Sequence, residues 1–345
     1  MPSSSILFSG AVVGSLFTQV ALAYTVVQIP SSFMNKNIDP IKYPGAYDKS
    51  HLHSFYGSDA IKATTNSSAE LQKGCTNADN ANDLSSYWVP TLLYTKDSGK
   101  TYEPAPLFRF SAYYNLGETE AQVPIPQNLR MVAGNADATT AAEMPADAKI
   151  SWFCETEKTS KAEDVEDDAK PSDNNSTAAV DKNGFPSKTC STHLQTLIYF
   201  PQCVNNVTLQ TAYKSKTYGT ENYCPKGMYS MPQLRFSIRY DLRKALPNGW
   251  DGEAPLRQAC GGNIFCSHAD FINGWTKMAA ENMLATTKEK QHFSLVTGDR
   301  VKTNCTQHDA DPKHGTSDYA ESLKLMGKRS VEAVGWSSHS RMVKL

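Results

Sequence analysis

The sequence predicts a mainly β fold: an antiparallel β-sandwich of jelly-roll type with one C-terminal helix packed against it. Three observations carry this. Short runs rich in aromatic and β-branched residues recur along the chain, Pro, Gly and Asn separate them, and only one stretch has apolar spacing that suits a helix.

Taken in order, residues 1–23 read as a secretory signal. Ile6 to Leu22 is apolar and rich in small residues, and it ends in Ala21-Leu22-Ala23, an A-x-A cleavage site, so the mature chain is expected to begin at Tyr24. The apolar run is short and carries Ser, Thr and Gln, which argues against a membrane anchor. Strand-like runs follow at 24–29, 87–94, 107–114, 129–134 and 150–154, then at 194–200 and 233–240. The last alternates cleanly, with Leu234, Phe236, Ile238 and Tyr240 on one face and Arg235, Ser237 and Arg239 on the other, which predicts one face on a core and one in water.

Between about 157 and 185 the chain is acidic and polar with almost nothing apolar, which reads as a disordered insertion in the domain spanning 24–305. It lacks the Asp periodicity and Gly of a calcium loop. A helix is expected from about His268 to Thr287, with Phe271, Trp275, Met278 and Asn282 on one stripe, Ser267 as N-cap and Asp270 closing a capping box. Residues 306–345 read as a polar disordered tail in which Lys328-Arg329 is an incidental dibasic pair or, alternatively, a processing site that releases Ser330 to Leu345.

Eight cysteines, all beyond the cleavage site, predict up to four disulfides in an exported chain. There is no C-x-x-C pair of the kind a zinc–thiolate site needs. Sequons at Asn66, Asn174, Asn175, Asn206 and Asn304 point the same way, toward a secreted, extracellular glycoprotein. A formal net charge of −1 gives no field for nucleic acid or an anionic membrane, and no later segment is apolar enough to span a bilayer. A monomer without nucleic-acid or membrane partners is expected.

The order of several motifs carries a family resemblance. Asp39-Pro40-Ile41, Pro44-Gly45, Ser50-His51-Leu52-His53-Ser54-Phe55-Tyr56-Gly57, Tyr87-Trp88-Val89-Pro90-Thr91-Leu92 and Leu129-Arg130-Met131-Val132-Ala133-Gly134 come first. Trp152-Phe153-Cys154, Phe200-Pro201-Gln202-Cys203 and His268-Ala269-Asp270-Phe271-Ile272-Asn273-Gly274-Trp275 follow. Together they resemble DUF1996, a family of secreted fungal and bacterial proteins, over about Asp39 to Cys305. The resemblance implies export and, because some members join this domain to carbohydrate-binding modules, an association with cell-wall polysaccharide. Where the family commonly carries a further Asp-His and Ser-His pair, this chain has Thr211 to Tyr218 without histidine.

The two histidine segments mark the candidate site, and three chemistries stay open for it. His51, His53 and His268 form a workable shell for a divalent metal, with Asp270 or water completing it. Alternatively, His51, His53, His268 and Asp270 form a catalytic cleft for glycoside hydrolysis. In that case Asp39, Asp48, Asp59 and Asp83 are alternative carboxylates, and Tyr56, Tyr87, Trp88, Arg130, Asn273 and Trp275 would meet the sugar. In the third, Asp270 caps the helix and the imidazoles satisfy buried carbonyls. No G-x-S-x-G, H-E-x-x-H or Gly-rich phosphate loop is present. The leading expectation is a secreted protein acting on extracellular polysaccharide; a non-catalytic carbohydrate-binding module and a metal-binding protein are the alternatives.

Overall fold

The computed structural model describes residues 24–115, 119–155, 179–285, 291–292, 296–302 and 304–327. The signal segment, most of the acidic insertion, the sequons at Asn174 and Asn175, and Lys328-Arg329 lie outside these residues.

Two sheets form the body of the molecule. Strands β1 (Tyr24–Ile29), β2 (Met34–Lys36), β3 (His53–Gly57) and β4 (Ser86–Pro90) come first, followed by β5 (Leu107–Asn115), β6 (Arg130–Gly134) and β7 (Ser151–Cys154). After the insertion come β8 (Leu194–Tyr199), β9 (Gln233–Tyr240), β10 (His268–Ile272) and β11 (Gln291–His292). One sheet has six strands in the order β11-β1-β5-β9-β8-β7, and the other has five in the order β2-β3-β4-β10-β6. All pairings within them are antiparallel except β1 with β11.

Alternation dictates how the sheets meet. Leu234, Phe236 and Ile238 of β9 and Phe110, Ala112 and Tyr114 of β5 turn inward, against Tyr56, Tyr87, Met131 and Phe271 of the five-stranded sheet. Rings interlock across the gap: Tyr56 stacks on Phe110 at 4.3 Å, and Tyr87 meets Phe236 edge-on at 5.6 Å. A β-sandwich is therefore the architecture, and the strand runs expected from the sequence are strands.

Four disulfides pair all eight cysteines: Cys75–Cys305, Cys154–Cys190, Cys203–Cys224 and Cys260–Cys266. Among the described residues no helix is long and apolar enough to cross a membrane. Asn66, Asn206 and Asn304 are exposed.

Four expectations need correction. The expected helix at His268–Thr287 begins only at Lys277, and helix α1 (Lys277–Ala285) is capped by Thr276, whose Oγ1 accepts the Ala279 N–H at 3.4 Å. Residues 268–272 are a strand held between β4 and β6 and buried on both faces, so no exposed polar positions alternate along it to mark it as a strand. Met278, placed on the packed stripe, is 51% exposed.

The second correction concerns the polar face of β9, which is buried rather than wet. Arg235 lies over the Tyr113 ring at 4.1 Å, Gln195 donates to Ser237 at 2.8 Å, and the Arg239 guanidinium pairs with Glu155 at 2.6 Å. Third, the end of the acidic insertion is ordered: Asp181 accepts the Asn183 and Phe185 amides, and Phe185 enters the core. Fourth, residues 306–327 of the expected disordered tail form a packed strap, which ends in a helix at 319–327.

Inside the sandwich a polar chain is fully buried. Tyr87 donates to Asp83 at 2.5 Å and meets the Tyr114 hydroxyl at 2.7 Å, and Tyr114 receives the Trp275 indole N–H at 3.0 Å. Burial holds the Asp83 carboxyl up at about 7, so the folded chain keeps its proton longer than the unfolded chain does. The resulting stabilisation is complete below the ordinary carboxylate range near ~4 and is lost as pH rises through the folded value. Relative to Asp83→Asn, which stays neutral, the native protein should lose about 3 kcal/mol between roughly pH 5 and pH 8. Parallel thermal melts of both proteins across that range check this, and a constant difference would contradict it.

Candidate functional site

On the outer face of the five-stranded sheet, residues from successive strands align. Phe55 lies opposite Trp88, Trp88 opposite Asp270, and Asp270 opposite Val132. Two residues along, His53 pairs with Pro90 and His268 with Gly134. The pleat thus puts His53, His268 and Asp270 on one face while Tyr56 and Phe271 point into the core. Gly134 has φ +94°, and a Cβ there would stand 2.8 Å from His268 Cα, so only glycine lets β6 close on the histidine strand. His51, just ahead of β3, completes the group, with its ring 4.2 Å from that of His53 and 5.0 Å from that of His268.

The hydrogen bonds fix the protonation pattern. His53 Nδ1 is 2.9 Å from the Ile38 carbonyl and His268 Nδ1 is 2.8 Å from the Cys266 carbonyl. Carbonyl oxygens only accept, so both Nδ1 atoms carry the proton and both Nε2 atoms present a lone pair. Those Nε2 atoms face each other at 3.2 Å. His51 Nε2 and Asp270 Oδ2 are likewise buried without a hydrogen-bond partner, and Oδ2 lies 3.7 Å from His268 Nε2.

The electrostatics agree with this pattern. Burial pulls the imidazoles of His51, His53 and His268 well below their ordinary range, and for His51 and His268 mutual repulsion adds to it. Burial, then Asp39, pushes the Asp270 carboxyl up. The three histidines therefore offer neutral nitrogens, all within 4.8 Å of one another. A tetrahedral ion bonded at about 2.0–2.1 Å sets its nitrogen ligands about 3.3 Å apart, close to the His53–His268 separation. Backbone carbonyls on the far nitrogens are the outer partners that orient histidine ligands.

The other expected site residues have different fates. Tyr56, Tyr87, Trp88 and Trp275 are at most 2% exposed, so none offers a face to a sugar. Tyr56, Tyr87 and Trp275 belong to the main core, and Trp88 stacks on Phe55 at 5.5 Å. Asn273 braces a turn, donating to Pro126 at 2.8 Å and accepting from the Trp275 amide at 3.0 Å. Arg130 is exposed on β6, on the same face as Asp270. Asp270 lies within a strand and caps no helix. Asp39 accepts the Ile41 and Lys42 amides, Asp59 accepts the Cys75 amide, and Asp83 belongs to the core chain.

A family described as a domain of unknown function, DUF1996, matches residues 39–275. The chain belongs to the DUF1996 family. No curated protein and no solved structure matches it. The DUF1996 match contains His51, His53, His268 and Asp270, together with Cys266.

Part of the site's support lies beyond that match, in the strap. Asn37 N–H donates to the Thr316 carbonyl at 3.2 Å and Asn37 Oδ1 accepts the Thr316 amide at 2.6 Å, one residue before the Ile38 carbonyl that orients His53. Tyr319 packs with Leu52, which sits between His51 and His53, and with Ala259, next to the Cys260–Cys266 loop that orients His268. Sequence reasoning missed these partners because backbone carbonyls have no residue signature and the strap has no apolar period. Tyr319→Ala should cost about 3 kcal/mol. In hydrogen exchange, amides at 36–38 and 50–53 should then exchange faster while β5 and β9 stay protected, and unchanged exchange at both segments would contradict this supporting role of the strap.

Proposed function

We propose that the chain is an exported metal-binding protein whose centre is His51, His53 and His268, with Asp270 beside them. The observation that carries this reading is the pair of Nε2 lone pairs held face to face at 3.2 Å while both Nδ1 protons are committed to carbonyls. Without a cation, no arrangement of protons satisfies all four nitrogens unless a buried imidazole becomes charged, which burial opposes. Three neutral imidazoles suit Zn²⁺, Cu²⁺ or Ni²⁺ better than Ca²⁺ or Mg²⁺, which take oxygen ligands. When bound, such an ion supplies Lewis acidity.

The residues divide the work. His53 and His268 are fixed donors on β3 and β10, the strands on either side of β4, and His51 closes the group from the loop. Asp270, its oxygen unpaired and its carboxyl pushed up by burial, is placed to take or give a proton beside His268. Export is supported by the A-x-A signal and by four disulfides. Exposed sequons at Asn66, Asn206 and Asn304 support glycosylation. Action on wall polysaccharide has less support at this centre, because Arg130 alone of the six expected sugar contacts is exposed.

Calorimetric titration of chelator-treated protein should show one Zn²⁺ per chain, and Co²⁺ in its place should give the visible absorption of a nitrogen-rich site. His53→Ala and His268→Ala should each weaken binding by more than about a hundredfold. Zn²⁺ at about a hundred times its Kd should stabilise the native protein by about 2.7 kcal/mol, reversibly on chelation. A native chain that binds neither ion would sink the reading.

A further inference from the structure

Away from the histidine centre, two clefts of about 670 and 180 Å³ adjoin at the Cys75–Cys305 disulfide and share Gly74. The larger is within the usual size of a ligand site. Lys62, Lys73 and His308 line it, while Arg300 and Lys302 line the smaller. All five side chains are exposed.

The acidic groups here are already engaged. Asp59, buried, accepts the Cys75 amide at 2.7 Å and the His308 amide at 3.1 Å, and it faces His308 Nδ1 at 3.2 Å. Glu70 accepts the Ser67 hydroxyl at 3.0 Å. Lys62, Lys73 and Lys302 have no ion-pair partner among the described residues. In a chain whose formal net charge is −1, this is a local excess of positive charge rather than a general property of the surface.

We propose that the joined clefts bind an acidic polysaccharide, a chain bearing both carboxylates and hydroxyls. The lysines and Arg300 meet the carboxylates. His308, held by the buried Asp59 through Nδ1, presents Nε2 to a hydroxyl, and Thr306 adds a hydroxyl of its own to the same wall. Among the described residues no Phe, Tyr or Trp lines either cleft, so a neutral glycan has no large ring to stack on and a single-stranded nucleic acid has no broad platform for its bases. Charge and hydrogen bonding are what the walls offer, and an acidic glycan uses both. This proposal is independent of the metal reading, whose residues lie elsewhere.

The test is binding of the native protein to polygalacturonate, with dextran and a single-stranded DNA of matched charge as comparisons. Polygalacturonate should bind, and its affinity should fall as salt rises from about 50 to 200 mM. Lys62→Ala/Lys73→Ala and Arg300→Ala/Lys302→Ala should each weaken it by about tenfold, while Lys96→Ala/Lys100→Ala, a double change of exposed lysines outside the clefts, should leave it unchanged. His268→Ala should also leave it unchanged, which keeps this outcome separate from that of the metal centre. Equal binding of dextran, tighter binding of the DNA, or indifference to both cleft variants would each overturn the proposal.

Discussion

Two imidazole nitrogens that face each other across 3.2 Å with no proton between them are the constraint on which the outer face of this protein depends. A buried polar atom left without a partner costs about 1–3 kcal/mol, and here His51 Nε2 and Asp270 Oδ2 are in that position as well. A fold tolerates such a cluster only when the surrounding structure over-determines it. The Ile38 and Cys266 carbonyls do this by holding each Nδ1, so the rings cannot turn away from one another without breaking a hydrogen bond of their own.

That rigidity is inherited from the sandwich. His53 and His268 are separated by β4, whose Pro90 pairs with His53, and their inward neighbours Tyr56 and Phe271 are locked in the aromatic core. Moving either histidine along its strand would shift those rings with it, because a slip of one residue exchanges the faces of a strand. The buried chain from Asp83 through Tyr87 and Tyr114 to Trp275 ties the sheets together beneath the same residues. Packing on one face thus fixes donor geometry on the other.

How much of this was legible in the sequence depends on whether the signal is local. The strands of the six-stranded sheet announce themselves by alternation, and His51 and His53 stand out as an H-x-H pair. His268-Ala269-Asp270-Phe271-Ile272 misleads because a strand buried on both faces reads like the start of the helix that follows it, and Trp275 and Met278 extend the false stripe. The large aromatics read as sugar platforms only because type does not reveal burial. Trp88 and Trp275 are wholly enclosed, whereas Phe108, never singled out, is 43% exposed. Arg235 and Arg239 look like surface residues until their partners, Tyr113 on β5 and Glu155 just past β7, arrive from far away in the sequence.

The strap is the hardest part to foresee and the most informative about how the site is held. Its residues are polar, yet Lys36, with a side chain only 5% exposed, pairs with Asp309 at 2.6 Å and donates to the Asp311 carbonyl, while Tyr47 donates to Asp311 at 2.6 Å. A nearly buried ammonium left alone would be strongly destabilising, so β2 and the strap need each other in a way that no apolar pattern records. The Cys75–Cys305 disulfide fixes where the strap begins, and Tyr319, the first residue of its closing helix, anchors it against Leu52. The matched domain therefore supplies the nitrogen donors, and a segment beyond the match presses on the loops that aim them.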